Sequence, residues 1–119
     1  MEFIKNKIMK KYISILLLFL SINVFSQEGD LKWHTDLNKA IEISIESEKP
    51  LFMFFTGSDW CGWCIRLQKE VFFKPDFVKW AKENLVLVEL DFPRRKKLEE
   101  SLKQQNENLR QMFAVRGYP

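Results

Sequence analysis

The stretch Gly57-Ser-Asp-Trp-Cys-Gly-Trp-Cys64 holds both cysteines of the chain, two residues apart. That spacing serves three chemistries: a dithiol that exchanges with other disulfides, half of a metal site, or a plain structural bridge. A thiol attacks only as thiolate, and free cysteine titrates near 8.5. At the start of a helix, unsatisfied N–H groups and the positive end of the dipole favour an anion. Helix starts and Cys-x-x-Cys motifs bring the thiol down to roughly 3.5–7.5. The pattern places Cys61 at such a start and Cys64 one turn further in, more buried and less acidic. Cys61 would attack a partner disulfide, and Cys64 would then attack Cys61 and release the product. Gly62 leaves room for a partner chain. Trp60 and Trp63 flank the nucleophile, Trp63 expected at the surface and Trp60 equally suited to core or rim.

The two rival readings are weaker on the residues. A Cys-x-x-Cys bridge closes a very short loop, and loop-closure entropy gives such a bridge little stabilising power. Structural zinc takes four Cys or His ligands, whereas the chain offers Cys61, Cys64 and the single histidine, His34. A metal site would have to be shared between two chains. A hydrolase built on Cys61 and His34 lacks a visible oxyanion motif. No nucleotide-binding motif is present, so no cofactor beyond the dithiol is expected and electrons must come from a redox partner.

These cysteines need elements to position them. The apolar run from Pro50 to Phe55, bounded by Pro50 and Gly57, predicts a strand buried on both faces. Upstream, Leu31–His34 suits a short strand. Thr35 or Asp36 would cap a helix with Leu37, Ala40, Ile41, Ile43 and Ile45 as its apolar residues. After Cys61 the spacing of Cys64, Ile65, Gln68, Val71 and Phe72 predicts one helical face, and Asp76 is expected to cap a further helix. Leu85–Asp91 reads as a second strand, with Leu85, Leu87 and Glu89 on one side. The polar segment from Arg94 to Val115 reads as an exposed helix, broken near Asn106 to Asn108, with Arg94–Lys97 on its solvated face beside Glu99 and Glu100. Strand–helix alternation argues for α/β architecture with a mostly parallel sheet flanked by helices. Active groups in such sheets sit just beyond strand carboxyl ends, which is where the cysteines fall.

The first 26 residues have another character. Lys5, Lys7, Lys10 and Lys11 precede a nearly uncharged run, and Val24-Phe25-Ser26 suits cleavage. This is the layout of a secretory signal peptide over 1–26, leaving a domain over 27–119. The apolar run of about 14 residues falls short of the roughly 20 a membrane span needs. An exported, periplasmic or secreted chain with no stable membrane anchor after cleavage is therefore expected. The whole chain carries 19 Lys and Arg against 16 Asp and Glu. Four lysines and one glutamate lie in the leader, so the remainder carries equal numbers of each sign, which argues against nucleic acid as a partner.

The segments KPLFMFFTGSDWCGWCIRLQKEVF, LVLVELD and VRGYP together resemble the thioredoxin-like thiol–disulfide oxidoreductases of the secreted bacterial kind, from about Trp33 to Pro119. The resemblance implies a thioredoxin fold, Cys61 attacking, Cys64 resolving, a cis-proline at Pro119, and Tyr118 as the residue whose backbone pairs with bound substrate. The implied substrates are disulfides in envelope proteins. The alternative is a non-catalytic module of the same fold with a structural disulfide. Three departures stand out. The family's buried acid, six residues before the first cysteine, falls on Phe55, and its partner lysine falls on Leu87; Glu89, Asp59 or water would have to take the resolving proton. The dipeptide Gly62-Trp63 has no positive charge to offer the thiolate, which suggests a potential toward the reducing end of the family. The family's last strands and helix are missing after Pro119, so a truncated or partial chain with an incomplete C-terminus is expected.

Overall fold

The computed structural model of the protein describes residues 1–7, 9–10 and 31–119. The apolar run and cleavage point expected of a leader lie outside the described residues. The elements in chain order are β1 (Trp33–His34), α1 (Leu37–Ser47), β2 (Leu51–Thr56), α2 (Gly62–Leu67), a π-helical turn (Gln68–Phe72), α3 (Pro75–Asn84), β3 (Val86–Asp91) and α4 (Glu100–Met112). No helix among the described residues is long and apolar enough to cross a membrane.

The three strands form one parallel sheet in the order β1-β3-β2. Parallel neighbours need a crossover between them, and the helices that provide it cover both faces. Side chains alternate along a strand, which divides the core in two. On one face Val86, Val88 and Leu90 meet Ala40 of α1 and Leu109 of α4, with Leu51, Met53 and Phe55 alongside. On the other, Phe54, Cys61, Cys64 and Phe72 form a second cluster with Trp33, Phe52, Leu67 and Phe77. The α/β architecture and its parallel sheet are as the sequence suggests.

Several local expectations are corrected. Among the described residues β3, not β2, is the enclosed strand. It has a partner on each side and only Glu89 is incompletely buried, whereas β2 is an edge with Phe54 and Thr56 buried. Asp36 caps α1 through bonds from the N–H groups of Asn38 and Lys39 at 2.9 and 3.3 Å. Ile45, however, is 74 % exposed, because it sits about 140° round the helix from the buried Ala40. The predicted stripe from Cys64 to Phe72 is interrupted by the π-turn, whose wider winding shifts the phase. Cys64 and Phe72 are buried while Val71 faces outward. Pro75, not Asp76, opens α3: proline at the first helical position sacrifices no needed donor, and Asp76 lies within the first turn. Finally, α4 is unbroken from Glu100 to Met112. Asn106 does not break it, because its buried amide donates to the Asp91 carbonyl at 3.0 Å.

Candidate active site

Cys61 is the N-cap residue of α2, with extended backbone (φ −84°, ψ 97°), and its sulfur accepts the backbone N–H of Cys64 at 3.2 Å. An N-cap acceptor normally satisfies one of a helix's orphan donors with oxygen; here sulfur takes that place. The two cysteines are joined in a disulfide, their Cα atoms 5.2 Å apart. Cys61 is 5 % and Cys64 0 % exposed, so both cysteines are buried, Cys64 completely. A side-chain carbon placed at Gly62 would meet nothing within 4 Å. Trp63 is 68 % exposed and carries the Arg66 guanidinium 5.4 Å from its ring centroid. Gly62 and the exposed Trp63 ring thus follow Cys61 directly on the outer side of the helix start.

Trp60 is a strut. Its indole N–H donates to the Phe92 carbonyl at 2.8 Å, and Tyr118 meets its ring edge-on at 5.6 Å. The indole also fills the space a side chain at Gly57 would need, which explains glycine there. Tyr118 further touches Phe92, at 5.2 Å between rings, and belongs to the same cluster as both cysteines. The Tyr118–Pro119 peptide is cis. The fold therefore brings Trp60, Cys61, Cys64 and Tyr118 together across 58 residues of chain, with Gly62 and Trp63 on the open side.

The strand beneath the disulfide needs a different reading from the one obtained by counting back from Cys61. Phe55 faces the α1–α4 side, stacked on Phe92 at 6.4 Å and against Phe113 at 6.5 Å. The residue packed on the cysteines is Phe54, and its register partner on β3 is Glu89, not Leu87. A one-residue change in counting moves a strand side chain to the opposite face. The cysteines therefore rest on an apolar ring. The carboxylate opposite Phe54 is the half-buried Glu89, whose pKa is raised by burial and then by Asp91, against a smaller lowering by Lys96. Asp59 is unsuited to take a proton. The N–H groups of Arg94 and Lys96 above all, with that of Arg95, hold it down to about 2. His34 aligns with Val88 and so lies on the face away from the cysteines. Burial, with Lys32 and Lys39, lowers its pKa. A Cys61–His34 pair is ruled out by this placement.

One set of contacts beside the cysteines had no sequence signal. Asp59 accepts from the backbone N–H groups of Arg94, Arg95 and Lys96 at 2.9, 2.7 and 2.8 Å. Ser58 donates its backbone N–H to Asp91 at 2.9 Å and its hydroxyl to the same carboxylate. Lys96 closes an ion pair on Asp91 at 3.1 Å. These bonds latch the loop before Cys61 onto the loop after β3. They also correct the reading of Arg94–Lys97 as a helix face: three successive N–H groups point at Asp59, and α4 begins only at Glu100. Partners more than 30 residues apart leave no periodicity to find.

With this geometry in hand, similarity to known proteins is informative. The family described as thioredoxin-like matches residues 32–119. A disulfide bond reductase, DsbH, of Chlamydia pneumoniae is 38 % identical over 91 residues, covering 76 % of this chain and 54 % of DsbH. A thioredoxin-related protein, DsbJ, of the same organism is 34 % identical over 114 residues, covering 92 % of this chain and 33 % of DsbJ. A solved structure described as DsbH oxidoreductase superposes with a TM-score of 0.72 at 37 % identity, over 76 % of this chain and 62 % of that one. The chain thus spans about half the length of the first relative and a third of the second.

Proposed function

The chain belongs to the thioredoxin-like family, and from that premise we propose that it is an exported thiol–disulfide oxidoreductase that reduces or exchanges disulfides in envelope proteins. The observation that carries this reading is the Cys61 sulfur as helix N-cap, receiving the Cys64 N–H and joined to Cys64 in a disulfide. In the reduced form that N–H and the helix start favour a Cys61 thiolate. The thiolate attacks one sulfur of a substrate disulfide; the other substrate sulfur leaves as thiolate and takes up a proton. Cys64 then loses its proton and attacks the Cys61 sulfur, the second substrate thiol departs, and the Cys61–Cys64 disulfide is restored. Two electrons pass from the dithiol to the substrate, so a further redox partner must reduce the pair again. Gly62 and Trp63 leave the approach to Cys61 open, while Trp60, Tyr118 and Pro119 form the opposite side of the substrate's path. The reductase name of one relative and the leader-like composition of 1–26 support reduction and export respectively.

The test is turnover of a protein disulfide. Cys61→Ser should abolish it, and Cys64→Ser should accumulate a mixed disulfide with substrate, visible as a mass adduct removed by a small thiol. A chain that neither turns over nor traps substrate would be a binding module whose cysteines only form a bridge. Zinc lost with either cysteine variant would instead establish a metal site.

A further inference from the structure

The run Arg94–Lys97 places four cations in succession, and on a helix its charge would be met by Glu99 and Glu100 one turn on. The structure removes that compensation. The four residues form a loop, Glu100 turns to Lys103 at 3.9 Å, and Glu99 accepts from the Ser101 hydroxyl. Among the described residues only Lys96 of the four forms an ion pair, with Asp91, while the Arg95 guanidinium donates to the Asp59 carbonyl at 3.3 Å and the Asp59 carboxylate is held by the loop's N–H groups. Arg94, Arg95 and Lys97 are exposed, and among the described residues none of them forms an ion pair. The loop is also fixed in place. Asp59 holds three of its N–H groups, and the Arg94 guanidinium lies 3.9 Å from the Trp60 ring centroid. Trp60 precedes Cys61 in the chain, so the guanidinium stacked on its ring is held on the Trp60 side of the cysteine pair. Outside the leader the chain has no net charge, so this local excess is a matter of placement.

We propose that the loop Arg94–Lys97 is a substrate-selecting collar, favouring disulfides whose cysteine is flanked by acidic residues. The proposal rests on the oxidoreductase reading and adds a substrate class to it. An extended chain advances 3.3–3.6 Å per residue, so an acid one to three positions from the substrate cysteine lies about 3–10 Å from the exchanging sulfur. The Debye length at physiological salt is about 8 Å, so an acid on the stretch of substrate that passes Trp60 is attracted by the Arg94 held on that ring. Charges at the rim of a contact act mainly on association rate and its salt dependence, so the selection appears in kcat/KM.

The experiment compares three disulfides with the reduced full chain: neutral 2-hydroxyethyl disulfide, and two matched peptide disulfides with Glu or Lys beside the cysteine. At low salt the acidic peptide should have a kcat/KM about 10-fold above the basic one, falling to within about 2-fold near 0.5 M salt. Arg94→Gln with Arg95→Gln should erase the preference and leave the neutral disulfide unaffected. Arg94→Lys with Arg95→Lys should keep it. Equal rates for the two peptides in the wild type, or a preference surviving in the glutamine variant, overturns the collar while leaving the oxidoreductase reading intact. If none of the three is reduced, the oxidoreductase reading itself fails. The collar then stands or falls on fluorescence anisotropy of the acidic peptide with serine for cysteine: salt-sensitive binding lost in the glutamine variant supports it, and no binding overturns it. Equal binding of a single-stranded oligonucleotide would overturn it as well, by making the loop a general polyanion site.

Discussion

The backbone N–H of Cys64 points at the sulfur of Cys61 from 3.2 Å, the contact by which the cap would favour a thiolate at Cys61 once the disulfide is reduced. In the reduced protein this contact and the helix start should favour the Cys61 thiolate over that of a free cysteine. Ultraviolet thiolate absorbance of Cys64→Ser, which isolates Cys61, measures it directly. A midpoint at or above about 8.5 would show that the cap does not act on charge.

Asp59 is held near 2, against an ordinary 3.8, by backbone N–H groups of the Arg94–Lys96 loop. A carboxyl depressed on folding contributes stability that is complete above its unfolded value and lost as pH falls through its folded one. The stability gap between wild type and Asp59→Asn should therefore be constant from neutral pH to about 4 and close towards pH 2. At neutral pH, amide exchange at Arg94, Arg95 and Lys96 should quicken by about 10-fold in the variant. Unchanged exchange would mean the latch is not what orders the loop.

Glu89 has the opposite sign. Burial raises it above 4.5, with Asp91 adding and Lys96 opposing. A raised carboxyl costs stability in its charged form, fully above the folded pKa, and the cost is relieved as pH falls towards the unfolded value. Glu89→Gln should accordingly have a higher Tm than wild type at pH 7, with the gain gone by about pH 4. A lower Tm at pH 7 would reveal a favourable partner for the charged form.

Phe72 sits 4 % exposed at the end of the π-turn, with its ring 5.0 Å from Phe54 and 5.3 Å from Trp33. Phe72→Ala should cost about 3–5 kcal/mol in denaturant unfolding, with added loss from the aromatic pairs. Because this cluster supports the cysteines, turnover should fall in the folded variant too. A cost below about 1 kcal/mol would mean the cluster collapses around the gap.

Asn106 bonds the end of β3 from within α4. Asn106→Ala leaves the buried Asp91 carbonyl without that donor and should cost about 1–3 kcal/mol, read from the denaturation midpoint with an unchanged slope. A neutral result would show that α4 is held by Leu109 and its apolar neighbours alone.

What the sequence determined by itself was local. A Cys-x-x-Cys behind an apolar run is enough to put one sulfur at a helix start, because the strand must end at Gly57 and the helix can begin only after it. The apolar runs likewise fixed two of the three strands, and their alternation with helical patterns fixed the parallel sheet. What only the tertiary structure decided depends on strand phase and distant pairing. Counting residues back from Cys61 reached Phe55, but side-chain alternation and the length of the intervening loop place Phe54 and Glu89 on the cysteine face. The basic run looked like a balanced helix until Asp59, about 35 residues away, took its N–H groups and held it as a loop beside Trp60. Periodicity reports only which residues avoid water together; hydrogen bonds that close long loops carry no period, and here those bonds fix the loop that leads into Cys61.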